Sequence, residues 1–336
     1  LLGTNQIKNA KLIAVCDISL QKAEKIASKF NISAYSDVNE MLKSETIDVA
    51  VVLTPSGVHA ENVINLSNKV KHIIVEKPLA LNILDAEKMI NECNKKDVKL
   101  FVVKQNRFNL PVIKLKETLD KGKFGKLTLG TVRVRWARHQ SYFDQDSWRG
   151  TWNMDGGVLA NQASHHIDML LWMMGDVESV FAKTTTSLVN IESENTAVAT
   201  LKFKSGALGI IEATTATRPK NLEGSLSILG EKGTAVIGGV AVNKLQTWVF
   251  EDKQSNGTDV LEKFSENPPD VYGFGHKAYY DYIVDCLMHK NNYNKLDGLQ
   301  GLKSVELISA IYESTLLGKE IFLDSQSRNI RLGQTK

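Results

Sequence analysis

The sequence predicts an α/β protein: a doubly wound parallel sheet, then an α+β unit built on a largely antiparallel sheet. Three observations carry this prediction. Between Lys11 and Gln105, apolar runs of strand length alternate with amphipathic helices, the rhythm of a parallel sheet covered on both faces. Beyond Arg107 the apolar period falls to two, as in Val132, Val134 and Trp136, or Ala197, Ala199, Leu201 and Phe203, which fits strands with one buried face. The first convincing strand, Lys11 to Cys16, ends at an acidic residue, Asp17, as the second strand of a Rossmann-like unit does. A chain of 336 residues has length for two cores, and we place the units at 1–108 and 109–336.

The elements follow in order. Leu12 to Val15 form a strand, and Ser19 caps a helix with Leu20, Ala23, Ala27 and Phe30 on one face. Asp37 with Glu40 resembles a capping box for the helix through Met41 and Leu42. Val49 to Leu53 is the next strand, Thr54-Pro55-Ser56-Gly57 its turn, and Val63, Ile64 and Leu66 mark the helix that follows. After a strand at Ile73 to Val75, Asn82 caps a helix through Ala86, Met89, Ile90 and Cys93, and Leu100 to Val103 closes the series. The second unit opens with a helix through Val112, Leu115 and Leu119 that ends at Gly122. Strands come next, with Lys204-Ser205-Gly206 as a hairpin signal, and helices at 161–174, 274–287 and 302–317. One face of an open antiparallel sheet needs covering, so a homo-oligomer formed through this sheet is expected.

In a Rossmann unit the Gly-rich phosphate turn lies about 20 residues before the acidic strand end. No G-x-G-x-x-G precedes Asp17. Residues 1–10 are therefore expected to be the tail of a first helix, with the first strand and phosphate loop missing; an atypical fold without such a loop is the alternative.

The net charge of +3 is weak, with no long run of Lys and Arg, so neither nucleic acid nor an anionic membrane surface is expected as partner. Cys16, Cys93 and Cys286 are far apart and form no C-x-x-C pair, and read as reduced core residues of a cytoplasmic protein. The apolar stretch at Met169 to Met174 is too short to span a bilayer and reads as a core helix.

The candidate site residues lie at strand ends and ahead of one helix. Asp17 is read either as acceptor for ribose hydroxyls, which favours NAD over NADP, or as a cap ahead of Ser19. Thr54, Pro55 and His59 lie at the next strand end. Lys77, between Glu76 and Pro78, cannot continue a ladder because Pro78 lacks the donor; it is either a solvated lysine or an ammonium projecting into a ligand crevice. Gly156 and Gly157 permit close backbone approach before a helix. Asn161 and His165 are then expected on one helical face, with Asp168 orienting the imidazole and His166 turned about 100° away. Arg133, Arg135, Arg138, Tyr142, Trp148, Arg149 and Trp152 form a dense cationic and aromatic run. It reads as solvated charges on a sheet edge, as an RNA-binding strip, or as recognition of a small anionic ligand; the weak net charge disfavours RNA.

Through Glu76-Lys77-Pro78 joined to Gly156-Gly157 and Asn161 to His165, the chain resembles the Gfo/Idh/MocA family of NAD(P)-dependent sugar and cyclitol oxidoreductases. The strings at 103–109, 148–152, 161–166 and 272–276 resemble more narrowly the branch that oxidises the 3-hydroxyl of UDP-N-acetylglucosaminuronic acid in bacterial surface-polysaccharide synthesis. The resemblance implies that Lys77 and His165 are the catalytic pair. It also implies that Asp17, Thr54, Pro55, His59, Glu76 and Lys77 line an NAD site. Arg107, Trp148, Arg149, Trp152, Asn161, Gln162 and His165 would then hold an anionic nucleotide sugar, and no metal is implied. Many relatives carry Asp where this chain has Asn161; an amide is no base, so Asn161 is expected to orient substrate. Another dehydrogenase of the family, an NAD-dependent glycosidase and a non-catalytic dinucleotide-binding regulator are the alternatives.

Overall fold

The computed structural model describes residues 3, 6–252, 258–268, 271–289, 293–323 and 330–334. Residues 6–10 form a turn with Asn9 in the left-handed region (φ 58°) rather than a helix, which corrects part of the helix-tail expectation; residues 1, 2, 4 and 5 lie outside the described residues. The parallel part consists of β1 (Ala14–Cys16), α1 (Leu20–Phe30), β2 (Ser33–Tyr35), α2 (Val38–Ser44), β3 (Val49–Val52), α3 (His59–Leu66), β4 (His72–Val75), α4 (Ile83–Lys95) and β5 (Lys99–Val102). β1 pairs with β2, and β3-β4-β5 form a second parallel ladder. These are the two flanking pieces of a 3-2-1-4-5-6 order, and among the described residues no strand joins β1 to β3.

Local signals explain the helix starts. Asp37 Oδ1 accepts from the Asn39 and Glu40 amides, and Asn82 Oδ1 from the Asp85 amide. Ser19 makes no side-chain cap bond; Asp17 Oδ1 instead accepts from the Ser19 amide at 2.8 Å. Ala86, Met89 and Cys93 bury one face of α4 against β3 to β5.

The second unit follows with α5 (Leu110–Asp120), β6 (Leu127–Arg135), α6 (Gln140–Phe143), α7 (Ser164–Met174), β7 (Val177–Thr185), β8 (Thr196–Phe203), β9 (Leu208–Thr214), β10 (Glu223–Gly230), β11 (Gly233–Gly238), β12 (Lys244–Phe250), α8 (Thr258–Lys263), α9 (Gly275–His289), α10 (Gly298–Leu317) and β13 (Ile321–Phe322). Eight strands run in the order β12-β11-β10-β6-β9-β8-β7-β13, antiparallel except for the β6–β9 pair. α7 and α10 cover the inner face, where Ile167, Leu170, Ile211, Leu226 and Ile311 form one core. The outer face keeps Phe181, Val198, Leu208 and Ile210 exposed.

α9 and the start of α10, although late in the chain, pack on the parallel strands: Tyr279 and Ile283 meet Ile74 and Phe101, while Val305 joins the core under α4. Cys93 and Cys286 are buried, but Cys16 is exposed, which corrects its reading as a core residue. Among the described residues no helix is long and apolar enough to cross a membrane.

Candidate active site

β4 stops at Val75 because Pro78 cannot extend its ladder, so Glu76 and Lys77 are delivered at the carboxyl end of the parallel strands. The Glu76 carboxylate accepts from the Lys77 backbone amide at 3.1 Å. The Lys77 side chain crosses to the loop ahead of α7, where its Nζ donates to the Asn161 main-chain oxygen at 2.9 Å and to Asn161 Oδ1 at 3.2 Å. His165 stands in the first turn of α7, its Nε2 2.9 Å from the Gln105 amide nitrogen. Two lobes thus bring a lysine and a histidine to one place.

Electrostatics divides their roles. Burial, then the positive charge of Lys77, holds the His165 pKa well below its usual value, so the ring is neutral around neutral pH. Burial also lowers the Lys77 pKa, opposed by the carboxylates of Glu76 and Asp155. A neutral imidazole beside a partly desolvated ammonium can accept a proton on one side and stabilise negative charge on the other.

The loop between the lobes is tightly built. Gly156 takes φ +76°, and a Cβ on Gly157 would lie 2.0 Å from Glu194 Oε2. Glu194, whose pKa burial pushes up to about 7, accepts from the Leu159 amide and from Tyr312 Oη. At the other lobe, the Gly57 amide donates to the Met154 oxygen at 3.0 Å, so the turn after β3 rests directly on this loop.

Several expected placements change. Asn161 precedes α7 rather than sharing its face, because the helix begins at Ser164. Asp168 does not orient His165: it is buried and binds Lys104 and, through Nε and Nη2, Arg107. The Arg107 guanidinium, expected at the substrate, is thus spent on Asp168, and its remaining contacts go to the Lys295 oxygen and Gln300. His59 is 1% exposed and bridges the Pro78 and Thr54 oxygens at 2.9 and 3.0 Å, bracing the ends of β3 and β4 rather than reaching a ligand. Trp152 packs edge-on against Tyr312, a core contact. His166 is fully buried against Trp136.

Other expected residues lie in the stretch between α6 and α7. The Arg149 guanidinium lies 4.6 Å from the ring centres of both Trp148 and Tyr142, and its charge acts on both Lys77 and Asp155. Gln162, largely buried, lies in the turn with Asn161. Sequence reasoning missed the contact of Gln105 with His165 and the carboxylate of Asp155; its place directly before the paired glycines was the available signal.

At the same strand ends, Asp17 and Thr54 are exposed, as are the apolar side chains of Ile18 and Leu53. A carboxylate for ribose hydroxyls, apolar surface for flat rings and a lysine beyond them fit a nicotinamide dinucleotide. Among the described residues no Gly-rich turn faces this edge.

Comparison with known proteins identifies the family and the fold. Residues 3–104 match the model described as "Oxidoreductase family, NAD-binding Rossmann fold", and residues 112–236 match "GFO/IDH/MocA C-terminal domain". Myo-inositol 2-dehydrogenase of Thermotoga maritima is 31% identical, with 81% of this chain and 82% of that protein covered. The WlbA dehydrogenase of Bordetella pertussis, solved with NADH and UDP-GlcNAcA, superposes with TM-score 0.91 at 39% identity, covering 96% of this chain and 93% of that one. Its counterpart from Chromobacterium violaceum, in the same kind of complex, gives TM-score 0.86 at 39% identity, covering 94% and 89%.

Proposed function

The chain belongs to the Gfo/Idh/MocA family of NAD-binding oxidoreductases, and on that premise we propose that it oxidises the 3-hydroxyl of a UDP-N-acetylhexosaminuronic acid. The observation that carries this reading is the convergence of Lys77 and His165, close enough for the charge of one to depress the pKa of the other. The substrate class is supported by 39% identity, over nearly the whole length, to two enzymes solved with UDP-GlcNAcA.

Bound NAD supplies the hydride acceptor. His165, neutral, takes the hydroxyl proton, for which the Gln105 amide, 2.9 Å from Nε2, must either release that nitrogen or turn its Oε1 toward it and leave the other ring nitrogen as acceptor. Lys77 donates a hydrogen bond to the same oxygen and stabilises the charge that develops there. Asn161 and Gln162 orient the sugar. Thr54, Pro55 and Glu76 shape the cofactor side of the groove, and Asp17 takes the ribose hydroxyls.

An absorbance assay for NADH with UDP-GlcNAcA tests the reading. Net NADH supports it; released sugar without net NADH identifies a glycosidase; tight NAD binding with neither identifies a regulator. Turnover of free myo-inositol alone would move the substrate toward the cyclitols, a second reading favoured by the Thermotoga maritima relative.

Arg149, with its aromatic neighbours, recognises the anionic part of the substrate. Tyr142 and Trp148 fix its guanidinium plane, and Tyr142 Oη and Asp146 take Nη1 and Nε. Arg149→Ala is expected to raise KM for the UDP-sugar acid about 10- to 100-fold, because a charge-assisted hydrogen bond is worth about 1.5 to 3 kcal/mol. KM for a neutral free sugar should barely move; equal losses on both would remove the anion role. The exposed apolar residues on the outer sheet face support a homo-oligomer formed there. The cytoplasm, and polysaccharide assembly from nucleotide sugars, are the setting this substrate fits.

A further inference from the structure

Asp155 is 2% exposed, yet both of its oxygens are used at the site. Oδ2 accepts from the Gly150 amide at 2.7 Å, next to Arg149, and Oδ1 accepts from Asn161 Nδ2 at 2.5 Å. Asn161 in turn presents Oδ1 and its main-chain oxygen to Lys77 Nζ. An ionised carboxylate only accepts hydrogen bonds. It therefore forces the Asn161 amide nitrogen toward itself, and the amide oxygen is left facing the lysine.

We propose that Asp155 is a positioning residue for Lys77, fixing the polarity of the Asn161 amide and supplying, one residue removed, the counter-charge to the ammonium. The proposal rests on the reading above, in which Lys77 must be charged to stabilise the developing alkoxide.

Four charged or titratable groups act on Lys77. Glu76 lies beside it at the strand end, Asp155 and Arg149 on the loop before α7, and His165 on α7 itself. Glu76 and Asp155 oppose the desolvation that lowers the Lys77 pKa, whereas Arg149 adds to it. Glu76 is already bonded to the Lys77 backbone amide, so Asp155, acting through Asn161, is the carboxylate linked to the ammonium by hydrogen bonds.

The substitution Asp155→Asn makes this visible. The Gly150 amide still needs an acceptor, so an amide at 155 keeps its oxygen there and offers Nδ2 where Asn161 found an acceptor; the Asn161 amide then turns over and presents its NH2 to the ammonium. Asn161→Asp in that background restores a carboxylate, now in direct contact with Lys77, while the amide introduced at 155 donates to its second oxygen. The polarity of the chain is rebuilt with the charge moved forward.

Two readouts apply: the pH profile of kcat, and the rate at which acetic anhydride acylates Lys77, followed by peptide mass spectrometry. In Asp155→Asn the basic limb of kcat should move about one pH unit lower and Lys77 acylation should speed up about 10-fold at fixed pH, the equivalence of one pKa unit. KM for NAD should stay unchanged. The double variant should return both readouts toward the parent. A folded Asp155→Asn protein with unchanged basic limb and acylation overturns the proposal, and so does a loss that Asn161→Asp fails to recover. If Asp155→Asn does not fold, Asn161→Ala with Asp155 retained gives the same test, since it cuts the link: faster acylation supports the proposal, an unchanged rate overturns it. Should Lys77→Ala and His165→Ala keep full turnover, the parent reading has failed; should they lose it while the Asp155 series stays flat, only this inference has.

Discussion

Replacing His165 by Ala is expected to lower kcat about 100-fold or more, the usual scale for losing acid–base help, and Lys77→Ala should do the same. The two side chains come from separate lobes and, in the mechanism proposed above, act on one hydroxyl, one by removing the proton and the other by holding the charge that remains. Their effects should therefore overlap, with the double variant little worse than either single one. The pH dependence has a defined sign. Activity that needs a neutral His165 is lost as pH falls through its pKa, which burial and then Lys77 hold below the usual value, so the acidic limb should lie below the range of a free imidazole. Activity that needs a charged Lys77 is lost as pH rises through its own lowered pKa. Steady-state kinetics with NAD and UDP-GlcNAcA would check this, and near-normal turnover in both single variants would falsify the mechanism.

Asp168→Asn is expected to cost about 3 to 5 kcal/mol of stability, the range for breaking a buried ion pair from one side. Asp168, Lys104 and Arg107 are all at least 95% buried. Burial alone would raise the Asp168 pKa, but the charges of Arg107 and Lys104 and their hydrogen bonds outweigh it and hold the carboxyl well below the ordinary range. Desolvation pushes Lys104 down to about 8, while a guanidinium keeps its proton; Arg107 is thus the cation stranded by the substitution. The folded pKa of Asp168 is depressed. Its contribution is therefore present above the unfolded value of about 3.9 and lost as pH falls below it. Urea unfolding at neutral and acid pH should show a gap between parent and variant that narrows toward low pH. A constant gap would mean the cost is one of packing. Because Asp168 sits one turn past His165 on α7, some loss of kcat should accompany the loss of stability.

Much of the first unit was legible because its signals are local. Asp37 and Asn82 cap helices through their own side chains, and the apolar spacing of Ala86, Met89 and Cys93 is a property of α4 alone. The hairpin at Lys204-Ser205-Gly206 was legible for the same reason, with Gly206 at φ +87°. β7 was harder to see, since a register irregularity between Val177 and Ser179 breaks its alternation. At the site, Lys77 and His165 stood out by residue type and position. Arg107 and Asp168 misled because a sequence shows charge but not where it is spent, and only the fold puts them in the same buried network. Gln105 was invisible as a functional group because it matters only through His165, supplied by another part of the chain, whereas Asp155, whose partner Asn161 lies six residues on in the same loop, was marked only by its place before the paired glycines.

The contact at Gly57 gives the molecule a fulcrum. An added Cβ there would stand 2.1 Å from the Asn153 oxygen and 2.8 Å from the Met154 Cα, backbone atoms that no side-chain rotation can clear. Any larger residue must act as a wedge under the stretch of chain that ends in Asp155. The displacement would be carried along Asp155 and Asn161 to the tip of Lys77, so a methyl group on one lobe would act at the proposed reaction centre through a lever whose arm is the other lobe.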